Sequence, residues 1–234
     1  KETNIIQERD EIISFISDTC GINDRTEINI NSTIPVGRGL GSSAALSIAI
    51  ARAKKLPNVR EIADKCEKFI HGNPSGIDVN QVLSDTPLLF SKKDGAIPLD
   101  FNLDSYLLII DTGVIGITKE TLKHIKQNFE NYKSYIDELG EITEKVIEPL
   151  KKKAIEVVGS YMYKAHDLLQ KLGVSHESND DVVNICKNNG ALGAKLTGGG
   201  AGGCCIALSK TKENAEKIQN ELAKKGYKSW IVTV

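Results

Sequence analysis

Residues 35–45 read PVGRGLGSSAA, and this stretch with its two flanks decides how the chain folds. Residues 27–35 before it read EININSTIP and show the period-2 pattern of a half-buried strand, carried by Ile28, Ile30 and Ile34. Residues 44–55 after it read AALSIAIARAKK, a strong helix-forming run. The predicted order of strand, glycine-rich loop and helix is typical of an anion site, because glycines let the backbone approach a phosphate and the first helical turn offers unpaired N–H groups.

The amino-acid composition limits the classes of protein to which the chain can belong. The chain has 234 residues, of which 40% are apolar and 26% are charged, with 20 glycines and a formal net charge of -1. These values are typical of a globular domain and argue against nucleic acid or an anionic membrane as partner. No apolar run approaches the roughly 18 residues that cross a bilayer. The five cysteines lack metal-ligand spacing, which favours reduced core thiols in a cytoplasmic protein.

The remaining pattern interleaves helices and strands and predicts the α+β class. We expect a helix over 58–70, a hairpin of short strands over 87–101, a buried strand over 106–113, and long helices over 118–134 and 138–170. The tail predicts strand, helix and strand on one antiparallel sheet. A division into 1–95 and 96–234 is expected, with its weakest boundary near 90–105.

The loop itself excludes two common phosphate motifs. It lacks the Gly-Lys-Ser/Thr ending of a Walker A loop and the third glycine of a dinucleotide fingerprint. Ser42 and Ser43 could cap the helix and offer hydroxyls to phosphate or Mg²⁺. The alternative is a helix start preceded by a flexible turn.

Two carboxylates follow in the next helix and loop. The apolar stripe predicted to be the buried face of the helix consists of Ile62, Cys66, Phe69 and Ile70. Glu67 lies about 115° from this stripe and is expected to border a cleft, while Asp78 follows Pro-Ser-Gly in a loop. Phosphoryl transfer needs a metal ligand and a carboxylate near the acceptor hydroxyl. The alternative for each is a solvated surface carboxylate.

Two further segments are candidates for ligand contact. Residues 197–203 read TGGGAGG, which predicts close approach of the backbone to a ligand or another segment, or else a flexible hairpin loop. Asp111-Thr112-Gly113, with Thr118 nearby, places polar side chains at the end of a hydrophobic strand, where a plain turn is the alternative. Of the four histidines, His71 lies beside the second carboxylate.

Four segments together resemble the GHMP small-molecule kinases. PVGRGLGSSAA at 35–45 resembles their central phosphate loop, and KLTGGGAGGC at 195–204 resembles their third, glycine-rich motif. HGNPSGID at 71–78 and LGVSHES at 172–178 are similar to the mevalonate kinases of that family. The resemblance covers the chain from about residue 27 to the end.

The resemblance implies a two-lobed α+β fold with a ferredoxin-like C-terminal lobe, an incomplete N-terminal lobe, and the substrates in the cleft between lobes. It implies ATP and Mg²⁺ as cofactors and mevalonate as acceptor at its 5-hydroxyl. Because the family is often dimeric, the resemblance also implies a homodimer. It also implies Asp78 as the catalytic residue and Ser43 and Glu67 as metal ligands. The implied nucleotide contacts are Gly37, Gly39, Leu40, Gly41, Ser42, Ser43 and Ala44. The implied substrate contacts are His71, Thr118, Thr197, Gly198 and Gly199.

The sequence also departs from the family. Nothing in it matches the family's first motif, which supplies a lysine beside the catalytic aspartate, so we expect some 70–90 residues to be missing. A loop near 53–56 is also shorter than usual. The alternatives are therefore another GHMP kinase acting on phosphomevalonate, homoserine or a sugar, or a non-catalytic homologue.

Overall fold

The computed structural model describes residues 2–23, 25–116 and 118–234, with side chains described for all of these except 2–9, 118–120 and 122. The chain forms two compact units. Unit 1 comprises the chain up to Val36 and Gly41–Asp100, and unit 2 comprises Gly37–Leu40 and Phe101–Val234. Four residues of the glycine loop therefore pack with the C-terminal unit. The sequence-based division into 1–95 and 96–234 stays a prediction.

Unit 1 is mainly helical. Its core lies between the first three helices, where Ile16, Ala51, Ile62 and Cys66 are almost fully buried. The expected helix over 58–70 is confirmed, and so is the short hairpin, whose two strands pair antiparallel. The elements are α1 (Glu2–Thr19), α2 (Ser42–Ala53), α3 (Val59–His71), α4 (Ile77–Val82), β1 (Leu88–Ser91) and β2 (Gly95–Pro98).

The strand predicted over 27–35 is wrong. The described residues 25–35 adopt no regular structure, and Ile30 and Ile34 are 47% and 37% exposed. A strand needs a neighbouring strand to complete its backbone hydrogen bonds, and the described part of the chain places none beside this segment. The alternating isoleucines predict the apolar face of a strand, but the described part of the chain supplies no neighbouring strand for it.

Unit 2 is a four-stranded antiparallel sheet with helices. The sheet order is β4-β5-β3-β6, which gives the βαββαβ order of a ferredoxin-like domain and confirms the predicted fold class. The strands are β3 (Tyr106–Asp111), β4 (Gly193–Leu196), β5 (Cys204–Ser209) and β6 (Lys228–Thr233). The helices are α5 (Thr118–Gln127), α6 (Phe129–Lys145), α7 (Ile147–Lys151), α8 (Ile155–Lys171), α9 (Glu177–Asn188) and α10 (Lys212–Lys224).

The two long helices predicted over 118–134 and 138–170 are divided differently. α6 runs through the expected gap, and a separate short helix, α7, follows it. Pro149 cannot donate a backbone hydrogen bond to the preceding turn, which favours a break at this point. Lys153 then takes a positive φ of 54° before α8 begins.

The core of unit 2 lies between the sheet and helices α9 and α10. Leu108, Ile110, Val182, Ile218 and Leu222 are fully buried there. All five cysteines of the chain are buried and form no disulfide. Within the described residues, none of the helices is long and apolar enough to cross a membrane.

Candidate active site

The glycine loop has the backbone that its sequence predicts. Gly37, Gly39 and Gly41 have φ values of 71°, 73° and 65°, a region that residues with a Cβ rarely adopt. Gly41 is the residue that caps α2, and no side-chain cap is described there. The expectation that Ser42 or Ser43 caps the helix is therefore wrong, because both lie inside its first turn.

In unit 2 the loop packs directly on the second glycine-rich segment. We call residues 37–40 and 197–204 together the glycine layer. A Cβ built on Gly198 would lie 2.9 Å from the Cα of Gly39. The Cys204 amide donates to the Arg38 carbonyl over 3.1 Å, and Thr197 N donates to the Cys204 carbonyl over 3.0 Å. The predicted close approach of backbone to backbone is confirmed.

The rear of the glycine layer is equally close-packed. A Cβ on Gly200 would overlap the carbonyl oxygen of Val174, and one on Gly202 would lie 2.8 Å from a methyl carbon of Val114. The Ala201 amide donates to the same Val174 carbonyl over 2.8 Å. These contacts leave no room for the alternative of a flexible hairpin loop.

The residues at the end of β3 also bond to the glycine layer. Asp111 Oδ1 lies 3.0 Å from Nε of Arg38, whose Nη2 donates to the carbonyl of Gly113 over 3.0 Å. Thr112 donates through its hydroxyl to the Gly203 carbonyl over 2.6 Å. The Asp-Thr-Gly segment thus holds the glycine layer in place, and a plain turn does not account for it. Sequence reasoning missed Arg38, although its position between two loop glycines was a signal.

In unit 1 the predicted carboxylates meet the start of α2. We call Ser43, Glu67, His71 and Asp78 the polar cluster. Nε2 of His71 lies 3.4 Å from Oγ of Ser43 and 3.6 Å from Oε2 of Glu67. Asp78 lies beside Gly41, where a built Cβ would be 3.5 Å from the Asp78 carboxyl carbon. Unit 1 therefore brings the predicted metal ligands, His71 and the predicted catalytic residue together.

Glu67 differs from its expected surroundings. Its side chain is 3% exposed, so it enters the interior rather than bordering a cleft. Phe69, expected on the buried face, is instead 49% exposed and stacks on Phe15 with ring centroids 3.9 Å apart. The buried face of α3 is thus rotated toward Glu67, since Ala63 and Cys66 beside it are fully buried.

Asp78 lies in the first turn of α4, immediately after Gly76 with φ 87°. Partial burial raises the pKa of its carboxyl, and the nearby His71 opposes that rise. The residue still keeps much of its surface exposed. A carboxylate of raised pKa that solvent and substrate can reach suits a general base.

The polar cluster contains the oxygen donors that Mg²⁺ prefers. Oε1 of the buried Glu67 has no hydrogen-bond partner, and the Ser43 hydroxyl lies in the same cluster. A buried carboxylate oxygen without a partner is costly unless a cation or water satisfies it. The pair therefore fits a magnesium ion, although no group of three or more His, Cys, Asp or Glu with metal geometry occurs in the part of the chain that is described.

The other predicted contacts divide between the units. Ala44 is buried in α2, whereas Leu40, Thr197, Gly198 and Gly199 lie in the glycine layer. Gly198 is exposed, and Gly200, Gly202 and Gly203 are buried. The accessible part of the segment is thus the part predicted to bind substrate. Thr118 begins α5, and its side chain lies outside the described residues.

Comparison with known proteins gives two family matches and a consistent set of relatives. Residues 4–84 match the GHMP kinases N terminal domain, and residues 146–228 match the GHMP kinases C terminal domain. A mevalonate kinase of Thermococcus sibiricus is 33% identical over 221 residues, covering 87% of this chain and 66% of that protein. One of Pyrococcus furiosus is 31% identical over 228 residues, covering 87% of this chain and 68% of that protein.

Solved structures agree with the sequence relatives. The mevalonate kinase of L. major, solved with R-mevalonate, matches 98% of this chain and 78% of its own with a TM-score of 0.79 at 25% identity. The Methanococcus jannaschii mevalonate kinase matches 95% of this chain and 74% of its own, with a TM-score of 0.75 at 27% identity. The chain spans 60 to 68% of the length of four mevalonate kinases from Thermococcus and Pyrococcus: those of T. sibiricus and P. furiosus, and two more from Pyrococcus horikoshii and Thermococcus onnurineus. It belongs to the GHMP kinase family.

Proposed function

We propose that the protein transfers the γ-phosphoryl group of ATP to the 5-hydroxyl of mevalonate, with Mg²⁺ as the metal cofactor. The observation that carries this proposal is the polar cluster, which gathers a raised-pKa carboxylate, a buried carboxylate and a helix start in one unit. The acceptor is inferred from relatives named mevalonate kinase, one of them solved with R-mevalonate. Cytoplasmic location stays a prediction from the cysteine pattern, and a homodimer stays a prediction from the family resemblance.

The nucleotide phosphates would lie against residues 37–44. The left-handed φ values of the loop glycines allow the backbone to wrap closely on an anion, and the first turn of α2 would add its unpaired N–H groups and the positive end of its dipole. Ser42 and Ser43 would contribute hydroxyl groups. These donors stabilise the negative charge of the triphosphate without any side-chain cation in the helix turn.

Ser43 and Glu67 would hold the magnesium ion. When bound, the ion neutralises charge on the transferred phosphoryl group. His71 lies between the two ligands, at 3.4 Å from the hydroxyl and 3.6 Å from the carboxylate. A hydrogen bond from its Nε2 would orient one of these oxygens, and its exposed edge would be free to contact the acceptor.

Asp78 would act on the acceptor hydroxyl. Its carboxylate accepts the hydroxyl proton as the oxygen attacks the γ-phosphorus and ADP leaves. Its raised pKa makes it a better proton acceptor than a fully hydrated aspartate. Thr197, Gly198 and Gly199 are the residues of the glycine layer that we expect to contact substrate.

An ADP-release assay on the full-length protein tests the proposal. The acceptor panel contains mevalonate, phosphomevalonate, homoserine and galactose, each with and without Mg²⁺. We expect Mg²⁺-dependent release with mevalonate at a kcat/KM at least about tenfold above that of the other acceptors. Preference for another acceptor would assign the protein to a different GHMP kinase. ATP binding without turnover of any acceptor would favour the non-catalytic homologue.

A further inference from the structure

Asn179 is a fully buried polar side chain in unit 2 that the proposed mechanism does not use. It is the third residue of α9, and its amide makes a two-point contact with the peptide groups of Gly202. Nδ2 donates to the Gly202 carbonyl over 3.0 Å, and Oδ1 accepts from the Gly202 amide over 3.0 Å. Nδ2 also lies 3.3 Å from Sγ of Cys205. The side chain thus holds the two peptide groups on either side of the Gly202 Cα, one with each of its polar groups.

Capping of α9 explains only part of this arrangement. Oδ1 of Asn179 also accepts from the His176 amide over 3.1 Å, which completes a capping box with the His176 side chain. A carboxylate oxygen would serve that purpose equally well. The bonds from Nδ2 need an amide, because a second acceptor in that place would face the Gly202 carbonyl oxygen. The donor half of Asn179 is therefore directed at the loop and not at the helix.

The contact continues through the glycine layer to the phosphate loop. Gly203 follows the clamped peptide, and a Cβ built on it would lie 3.0 Å from the Arg38 carbonyl. The next amide, that of Cys204, donates to the same carbonyl over 3.1 Å. Because these contacts are between backbones, a shift of the Gly202 peptide groups would be passed through Gly203 and Cys204 to the backbone of Arg38.

We propose that Asn179 is a positioning residue that fixes the Gly202 peptide and thereby sets the affinity of the phosphate loop for the nucleotide. The inference rests on the proposed function for the identity of the ligand. It assigns a role to a residue in the LGVSHESND segment that lies behind the layer. Asn179 contacts no reacting atom, so its loss weakens nucleotide binding without changing the chemistry at the acceptor.

The test compares Asn179→Asp with Asn179→Ala in the full-length protein. The aspartate keeps the acceptor for the His176 and Gly202 amides and removes the donor, whereas alanine removes both. We expect the KM for ATP and the Kd for ATP-Mg²⁺, measured by calorimetry, to rise about tenfold in Asn179→Asp. The KM for mevalonate should stay within about twofold. Asn179→Ala should weaken ATP binding as well and lower the melting temperature.

Thr211→Ala is the matched control. Thr211 caps α10 in the same unit through a bond from the Asn214 amide, and it does not contact the glycine layer. Its loss should lower the melting temperature while the KM for ATP stays unchanged. An equal rise of that KM in the control and the Asn179 variants would reduce Asn179 to a structural role. An unchanged ATP Kd in Asn179→Asp would overturn the proposal.

Two measurements keep the inference independent of folding and of the proposed function. In the unmodified protein, the Gly202 amide should exchange with solvent deuterium much more slowly than an exposed loop amide such as that of Asn31. Rapid exchange at Gly202 would overturn the proposal even if the variants fail to fold. If the unmodified protein binds ATP-Mg²⁺ but turns over no mevalonate, the proposed function fails and the Kd comparison still decides the role of Asn179.

Discussion

The glycine layer and the polar cluster are built from different parts of the chain. In the glycine layer, peptide groups contact peptide groups. Gly200, Gly202 and Gly203 are buried there, and a Cβ would overlap a neighbour at the first two and make a tight contact at the third. In the polar cluster, four side chains from α2, α3 and α4 approach one another, with contacts of 3.4 to 3.6 Å around His71. The first region depends on the absence of side chains, and the second depends on their chemistry.

This difference separates two kinds of failure. A substitution in the glycine layer adds atoms where there is no space, so it should affect folding and nucleotide affinity together. A conservative substitution in the polar cluster changes a charge or a donor without changing the packing, so it should affect turnover or metal demand and leave stability intact. The following variants test this separation, from the largest expected effect to the smallest.

Gly200→Ala should have the largest effect, and it should be on folding. The new Cβ would overlap the Val174 carbonyl, and the backbone has φ 77°. We expect a loss of about 2–5 kcal/mol in the free energy of unfolding, from the left-handed backbone and from overpacking together. Urea denaturation, monitored by far-UV circular dichroism, measures this loss in the free energy of unfolding.

Gly226→Ala is the control for that variant. Gly226 has a similar φ of 86°, but no atom lies within 4 Å of a Cβ built on it. It should cost only the backbone contribution of about 1–2 kcal/mol. Equal losses in both variants would show that the contact with Val174 does not matter and that the layer is not close-packed in solution.

Asp78→Asn should leave the protein folded and lower kcat by at least about 10², because a positioned base contributes on this scale. Burial raises the pKa of Asp78, so the ionised carboxylate costs more free energy in the folded chain than in the unfolded chain. The neutral variant should therefore be no less stable at pH 7. Asp85→Asn, at an exposed carboxylate of the same unit, should leave kcat unchanged. Near-normal turnover in Asp78→Asn would remove Asp78 from the catalytic role.

Glu67→Gln should change the demand for metal more than any other property. The amide keeps the shape of the buried side chain but loses the charge that attracts Mg²⁺. We expect the Mg²⁺ concentration for half-maximal activity to rise about tenfold, equivalent to about 1.4 kcal/mol. Glu61→Gln, at an exposed position of the same helix, should leave that concentration unchanged. An identical Mg²⁺ titration for Glu67→Gln and the unmodified protein would contradict the ligand assignment.

Helices and strands could be predicted from the sequence where a local hydrophobic pattern is matched by a packing partner in the described chain. The amphipathic stripe of α3, the hairpin and the strand–helix–strand tail of unit 2 all have their partners within the described chain. Residues 27–35 carry an equally clear pattern, but a strand is defined by its neighbour and none is described beside them. Helix rotation is similarly a tertiary property, and for that reason Glu67 and Phe69 exchange their expected burial.

The sequence predicted which residues form the candidate site, but not the long-range hydrogen bonds and ion pairs that hold them. Glycine clusters predict close backbone approach, and the contact of Gly39 with Gly198 follows that expectation. Nothing in local sequence indicates that Arg38 reaches Asp111 and Gly113, some 75 residues away, or that Asn179 holds Gly202. Such bonds depend on how distant elements meet, which periodicity and spacing do not encode.

Arg38 is the one charged residue of the glycine layer. Arg38→Lys should therefore have a small effect on nucleotide binding, the smallest of the effects predicted here. Lysine keeps the positive charge near Asp111 but lacks the planar fork with which the guanidinium reaches the carboxylate and the Gly113 carbonyl from two different nitrogens. The loss of one such bond, about 1 kcal/mol, should raise the KM for ATP about threefold to fivefold and leave kcat unchanged.

Arg60→Lys provides the comparison from unit 1, because Arg60 is exposed and donates to a single side chain, Asn80. It should alter neither kinetic constant. A drop in kcat for Arg38→Lys with an unchanged KM for ATP would mean that the guanidinium acts on the reaction itself. In that case the glycine layer would contribute side-chain chemistry as well as backbone shape, and the separation between the two regions would not hold.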